Sequence, residues 1–194
     1  MDNQNIDNEN NADNSEQKII NIVGTNNRYM MKKVIREKLA EPKKREVSKQ
    51  WTFSDEYFNY NKQMKMINDI SANILYDNVS KIIIQQINKK ISSYKQQDIL
   101  KKILDTEQFI DFNCVINKMI ECELKCRYCI CEMSVLYDIT REMKQWSVDR
   151  IDNNKGHNKD NFHLACLECN LKRRRKTDEK FLFTKQLKLI KQDI

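Results

Sequence analysis

The chain is poor in the residues that punctuate structure. Two glycines and one proline in 194 residues are too few for a collagen-like or Gly/Pro-rich low-complexity chain. No run of about 18 apolar residues occurs, so no transmembrane helix and no membrane partner are expected. The longest candidates, such as 81–87, are short and interrupted. The first 17 residues hold Asp2, Asp7, Glu9, Asp13 and Glu16 but no base. A secretory signal has a basic start and an apolar core, so the expected location is intracellular, not secreted. Seven cysteines in an unsecreted chain point away from a disulfide framework. Histidine is scarce too: His157 and His163 are the two in the chain.

Positive charge is in excess. Lys and Arg number 35 against 28 Asp and Glu, a net +7 with both histidines neutral. Beyond residue 17 the same 35 bases face 23 acids, which leaves +12. A basic body behind an acidic arm is the pattern of a protein with a polyanionic partner, most often nucleic acid. A solvated lysine-rich surface is the plainer alternative.

Three regions follow from composition and spacing. Residues 1–27 read as a disordered acidic arm: 1–17 are Asn-rich and too poor in apolar groups to offset chain entropy. Ile19, Ile20, Ile22 and Val23 then form a short apolar run ending at Gly24. Residues 28–104 read as a basic helical region. A helix is expected over 30–39, with Pro42 ending it. Trp51, Phe53, Tyr57, Phe58 and Tyr60 read as a packing cluster, with base stacking as the alternative. Ile67, Ile70, Ile74 and Leu75, continued by Val79, Ile82, Ile83 and Ile87, predict one or two amphipathic helices over 67–90. A further helical piece is expected over 91–104, with Asp98 a candidate N-cap. Residues 105–194 begin with a helix over 109–124 that leads into the cysteines, and no internal repeat is found.

The most informative residues start at Cys126-Arg-Tyr-Cys129 and return at Cys166-Leu-Glu-Cys169. Two CxxC pairs at this separation predict a tetrahedral four-cysteine zinc site. Zinc would substitute for the core that so short a segment lacks. Cys131 is a rival ligand beside Cys129, while Cys114 and Cys122 read as small core residues. Between the pairs, Asn153, Asn154 and Gly156 punctuate two β-type runs. Strands are expected over 146–151 and 162–165, and a helix from about Cys166.

On CRYC, WSVDRIDN, KGHNKDN and CLECNLKRR, in that order and spacing, residues 126–175 resemble the HNH endonucleases, whose fold is the ββα-metal finger. The longer run 94–189 resembles HNH proteins carried by large DNA viruses, which would place the protein in the cytoplasm or nucleus of a host cell. The resemblance implies an α+β, mostly helical fold: a helical N-terminal region, a zinc-stabilised ββα-metal finger and a C-terminal helix. It implies a catalytic Mg2+ or Mn2+ held by Asp149 and Asn170, both hard oxygen ligands, and DNA as the partner. It assigns Asn161 to tying the loop by side-chain to backbone hydrogen bonds.

One position departs from that pattern. The usual motif has His directly after the aspartate as general base, and here Arg150 stands there. Arginine stays protonated and cannot take a proton, although it can clamp a phosphate. If Asp152 pairs with Asn161 across the hairpin, His163 falls opposite Arg150 and is a candidate base; His157, in the loop, is a second. After Asn170 come Lys172, Arg173, Arg174, Arg175 and Lys176, read as a positive DNA-binding helix surface. Asp178 is expected to cap a last helix that packs back on 109–124. The reading is a metal-dependent DNA endonuclease. Its alternative is a zinc-stabilised DNA-binding module that has lost cleavage through Arg150.

Overall fold

A computed structural model describes residues 42–74 and 77–187. The acidic arm, the apolar run at 19–23 and the helix expected over 30–39 lie outside the described residues. Among the described residues the chain is α+β, with five α-helices and one two-stranded antiparallel sheet. No described helix is long and apolar enough to cross a membrane.

Three helices precede the sheet, and each begins at an Asx cap. Asn59 accepts from Asn61 N at the start of α1 (Tyr60–Ser71). Asp77 accepts from Ser80 N at α2 (Asn78–Lys101), and Asp111 from Cys114 N at α3 (Phe112–Glu121). Such caps satisfy backbone donors that the first turn leaves unpaired. The helical stretch starts earlier than the apolar spacing indicates and breaks after Ser71, where Asn73 takes a positive φ of 57°. Beyond Asp77, α2 runs without interruption to Lys101, so 91–104 is not a separate piece.

Asp98 is therefore no N-cap. It sits fully buried within α2 and accepts from the His157 backbone N at 2.7 Å, with the His157 Nδ1 also 2.7 Å away. Two further polar contacts leave the same helix: Tyr94 Oη accepts from Val148 N at 3.0 Å, and Lys90 Nζ donates to Trp146 O. Residues before and after 104 share one core, from Met66 and Ile83 through Val115 to Trp146 and Phe181. Trp51, Phe53, Tyr57, Phe58 and Tyr60 pack against that core, Trp51 stacking on Phe53 at 5.3 Å. Gln63 on α1 is buried and holds the 135–136 backbone by three hydrogen bonds.

The sheet is a hairpin of β1 (Trp146–Arg150) and β2 (Phe162–Cys166). Its register differs by one from the expected pairing: Asp149 faces His163, and Arg150 faces Phe162. The reason lies in Asn161. Its main-chain O accepts from Ile151 N, which continues the ladder, while its side chain makes the contacts to residue 152. A one-residue slip moves every side chain to the other face, so His163 shares a face with Asp149 and not with Arg150.

Helix α4 (Leu167–Arg173) follows β2 directly, with Cys166 as its cap. Helix α5 (Asp178–Gln186) is capped by Thr177, not Asp178. Asp178 is its first residue and turns inward, and Phe181 packs edge-on against Tyr128 at 4.8 Å.

The loop between the strands leaves no room at Gly156. A Cβ added there would lie 2.7 Å from Ile103 O and 2.9 Å from Asp98 Oδ2. Gly156→Ala is expected to destabilise the fold by about 1–3 kcal/mol through overpacking. Urea unfolding measures this, and an unchanged midpoint would contradict the close approach of loop and helix.

Candidate metal centre and the charged cluster beside it

Cys126 and Cys129 lie in the turn that follows α3, Cys166 ends β2 and Cys169 is in the first turn of α4. Their four sulfur atoms lie within 4.8 Å of one another. A tetrahedron with metal–sulfur bonds of about 2.3 Å has edges of about 3.8 Å, and Cys129 Sγ lies 3.8 Å from Cys166 Sγ. The donor set and spacing thus fit one structural metal ion such as zinc.

The thiols already share charge. The Cys166 thiol, hydrogen-bonded to Cys126, pulls the Cys126 pKa down to about 4, while Cys166 itself is pushed up. Burial pushes Cys169 up to about 12. A thiolate is the ligand form of cysteine, so binding of a cation here would release the remaining thiol protons. Cys131 stands outside the quartet. It contributes its carbonyl to Cys126 N at 2.9 Å, and burial pushes its thiol up to about 12. Cys114 and Cys122 are partly buried against the core.

Next to this centre is a chain of buried charged and polar groups. Asp149 on β1 is 5% exposed. Its Oδ1 accepts from Arg173 Nη1 at 2.6 Å and its Oδ2 from Tyr128 Oη at 2.5 Å. Tyr128 Oη is also 2.7 Å from Asp178 Oδ1. A phenol has one proton to donate, so the two carboxylates compete for it. Asp178 Oδ2 in turn faces His163 Nε2 at 3.7 Å and Arg127 Nη2 at 4.0 Å. Burial pushes the Asp149 carboxyl up, against the downward pull of Tyr128 and Arg173. Burial also lowers the His163 pKa, against Asp178.

Asn170, on α4, is fastened to the strand below it. Its Nδ2 donates to Ser147 Oγ and Val148 O, both at 3.1 Å. The amide oxygen, the atom a cation would take, makes no hydrogen bond among the described residues.

The other expected site residues are placed differently. Arg150 Nη1 donates to Asn153 O and Lys155 O, spanning the loop. Asn161 ties that loop through Asp152 and Gly156. His157 does not reach outward: it is 4% exposed, paired with Asp98, and its ring lies 4.7 Å from that of Tyr94. The five bases after Leu171 do not share a helix face. Arg173 is 1% exposed and serves Asp149, and Arg174, with φ 53°, ends α4. Lys172 pairs with Glu168. A buried carboxylate requires a counter-charge, and Arg173 is the base in the run that α4 turns inward.

Arg174, Arg175 and Lys176 remain exposed. With Lys101, Arg150 and the floor formed by Arg173 they line an open cleft of about 760 Å³. The cleft adjoins Asp149 through Arg173 but includes neither Asp149 nor His163. Sequence reasoning missed Tyr128, Asp178, Asp98 and the inward role of Arg173. A tyrosine inside a CxxC pair was the one available signal.

No family model, no curated protein and no solved structure matches this chain.

Metal analysis of the purified protein is expected to find about one tightly bound zinc per chain. Cys169→Ser should lose it and loosen the C-terminal half, because binding and folding of such a centre are linked. Cys131→Ser should retain both. Zinc kept by Cys169→Ser, or lost by Cys131→Ser, would redraw the ligand set.

Proposed function

We propose that this chain is a metal-dependent DNA endonuclease of the HNH kind, with zinc in the four-cysteine centre as a structural ion. One observation carries the reading: Asp149 faces His163 across the hairpin while Asn170, on the helix that follows, is fastened to the same strand. Carboxylate, imidazole and amide oxygen thus belong to one strand–strand–helix unit, whose knuckle and helix start are gathered by the thiols.

The chemistry is hydrolysis of a phosphodiester. A water oxygen bonds to phosphorus, the bond from phosphorus to the 3′ oxygen breaks, and the water's proton must be taken up. Mg2+ or Mn2+ on Asp149 and Asn170 would draw charge from the phosphate and the leaving 3′ oxygen. His163 is the candidate base. Its lowered pKa leaves it neutral and able to accept a proton near pH 7. Arg150 remains a cation, braced across the loop and lining the basic cleft. The cleft supports DNA as the partner, since a row of cations without base contacts binds backbone phosphates without regard to sequence.

A second reading has its own observation. Both oxygens of Asp149 are already engaged, one by a buried guanidinium. A catalytic cation must share those oxygens with Arg173 and Tyr128 through their remaining lone pairs, or displace one of them. If the buried pair leaves it no place, the protein is a zinc-stabilised DNA-binding module without cleavage.

Plasmid nicking with Mg2+ or Mn2+, with EDTA as control, separates the two. Under the first reading Asp149→Asn abolishes nicking with zinc retained, and His163→Ala lowers the rate by about 10²–10⁴-fold. Arg150→His, which restores the usual base, should raise it. Absence of cutting by parent and Arg150→His on supercoiled, branched and single-stranded DNA would establish the second. Both readings predict salt-sensitive DNA binding. Replacing Arg174, Arg175 and Lys176 together by Ala should flatten the salt slope by about one unit for each phosphate no longer neutralised; an unchanged slope would make the cleft a merely solvated surface.

A further inference from the structure

A second cavity, of about 210 Å³, lies on the other side of β1 from the charged cluster, between α2 and the chain that leads into the strand. Arg45, Lys89, Lys90, Tyr137 and Trp146 are among its lining residues, and among the described residues no carboxylate lines it. Two of its cations sit on the same aromatic ring: Arg45 Cζ is 4.2 Å and Lys90 Nζ 5.4 Å from the Tyr137 centroid. Lys90 also lies 4.7 Å from the Trp146 ring. Neither cation has an acidic partner among the described residues.

The donors outnumber the acceptors as well. Arg45 uses Nη1 on Tyr137 O and Nη2 on Gln86 Oε1. Of the five guanidinium N–H groups that leaves several unspent. Lys90 donates to Trp146 O and keeps two further N–H groups. The Trp146 indole Nε1 is buried and has no acceptor among the described residues. The Gln86 side-chain oxygen, one of the acceptors in the lining, already accepts from Arg45. Like charges gathered in a poorly solvated cavity with spare donors are destabilising unless an anion joins them or one of them gives up its proton.

We infer that this cavity is an anion site that takes one phosphate group, bound by Arg45 and Lys90 against the Tyr137 and Trp146 rings. The volume has room for several water molecules, and so for a phosphate and part of its hydration. Aromatic faces beneath both cations exclude water from one side and hold the charges in place. The strain is visible in Lys90, whose pKa is brought down to about 7, first by burial and then by Arg45. The site lies apart from Asp149 and the thiol centre, and it stands whether or not the chain cuts DNA. Its phosphate could be the free ion or the 5′ end of a nucleic acid, which present the same oxygens.

The test is differential acetylation of the full chain near pH 7.5, read residue by residue by mass spectrometry. Lys90 is followed beside the exposed Lys144, with and without each probe. Inorganic phosphate is expected to protect Lys90 at least tenfold while leaving Lys144 unchanged. Protection by a 5′-phosphorylated oligonucleotide but not by its 5′-hydroxyl twin, at concentrations where free phosphate does nothing, would assign the group to a nucleic-acid end. Equal protection by free phosphate would assign it to the ion. Phosphate titration calorimetry with Arg45→Met and Lys90→Met should show affinity reduced at least tenfold in each. The acetylation readout needs no substitution, so it decides even if a variant fails to fold. Lys90 unprotected by all three probes overturns the assignment.

Discussion

Four sulfur atoms within 4.8 Å of one another are the constraint on which the rest of the C-terminal half depends. Two come from a turn after α3, one from the end of β2 and one from the first turn of α4, so a single centre joins three elements. Around it, Arg127 N bonds to Leu164 O and places the turn along β2. That placement brings Tyr128 under the hairpin, and Tyr128 then meets Asp149 and Asp178 together. A five-residue hairpin strand and a seven-residue helix have little apolar surface of their own to fix these positions. A metal held by the four thiolates would supply the missing rigidity, because its binding free energy is folding free energy.

The buried charges follow the same logic one layer further out. Asp149 would be intolerable alone at 5% exposure. Arg173 answers it, and the same guanidinium also reaches Arg150 O and Ile151 O at the end of the strand. Removing either partner of such a pair leaves a bare charge and costs about 3–5 kcal/mol. Arg173 therefore has two roles in tension: it closes the structure around Asp149, and it holds the carboxylate that a catalytic cation would need. If the chain binds DNA as proposed, a phosphate in the neighbouring cleft would offer Arg173 another anion and would couple that binding to the hold on Asp149 through one side chain.

Much of this half is legible from residue types alone, since two CxxC pairs leave few alternatives and Asn153, Asn154 and Gly156 mark the turn. The two strands and the start of α4 follow within a residue, while α3 is three residues shorter at each end than the expected 109–124. What escapes is set by side chains whose partners lie far along the chain. The register slips by one because Asn161 contacts residue 152 by its side chain while its backbone pairs with 151. Arg173 looks like its basic neighbours until α4 turns it inward. Asp98 has the residue type of a cap, yet no local spacing reveals a histidine 59 positions on. The two histidines look equivalent in the sequence, and it is burial against α2 that removes His157 from the candidate chemistry and leaves His163.

The fit of α2 against the hairpin is a matter of matching repeats. Lys90, Tyr94 and Asp98 lie four residues apart on one helix face. They meet Trp146 O, Val148 N and the His157 backbone in that order. Four residues of helix rise about 6 Å, and two residues of strand about 6.6–6.8 Å. One helical step of four therefore advances almost as far as one strand step of two, so successive polar groups on α2 find successive backbone groups along β1. The third contact falls beyond the strand, where the chain has turned into the loop, and there a carboxylate takes both the amide and the ring of His157. Polar residues at this spacing resemble a solvent-facing stripe. Here the stripe faces inward, and the same alignment that fastens α2 to β1 also draws Lys90 next to Arg45 and leaves their shared cavity, among the described residues, short of negative charge.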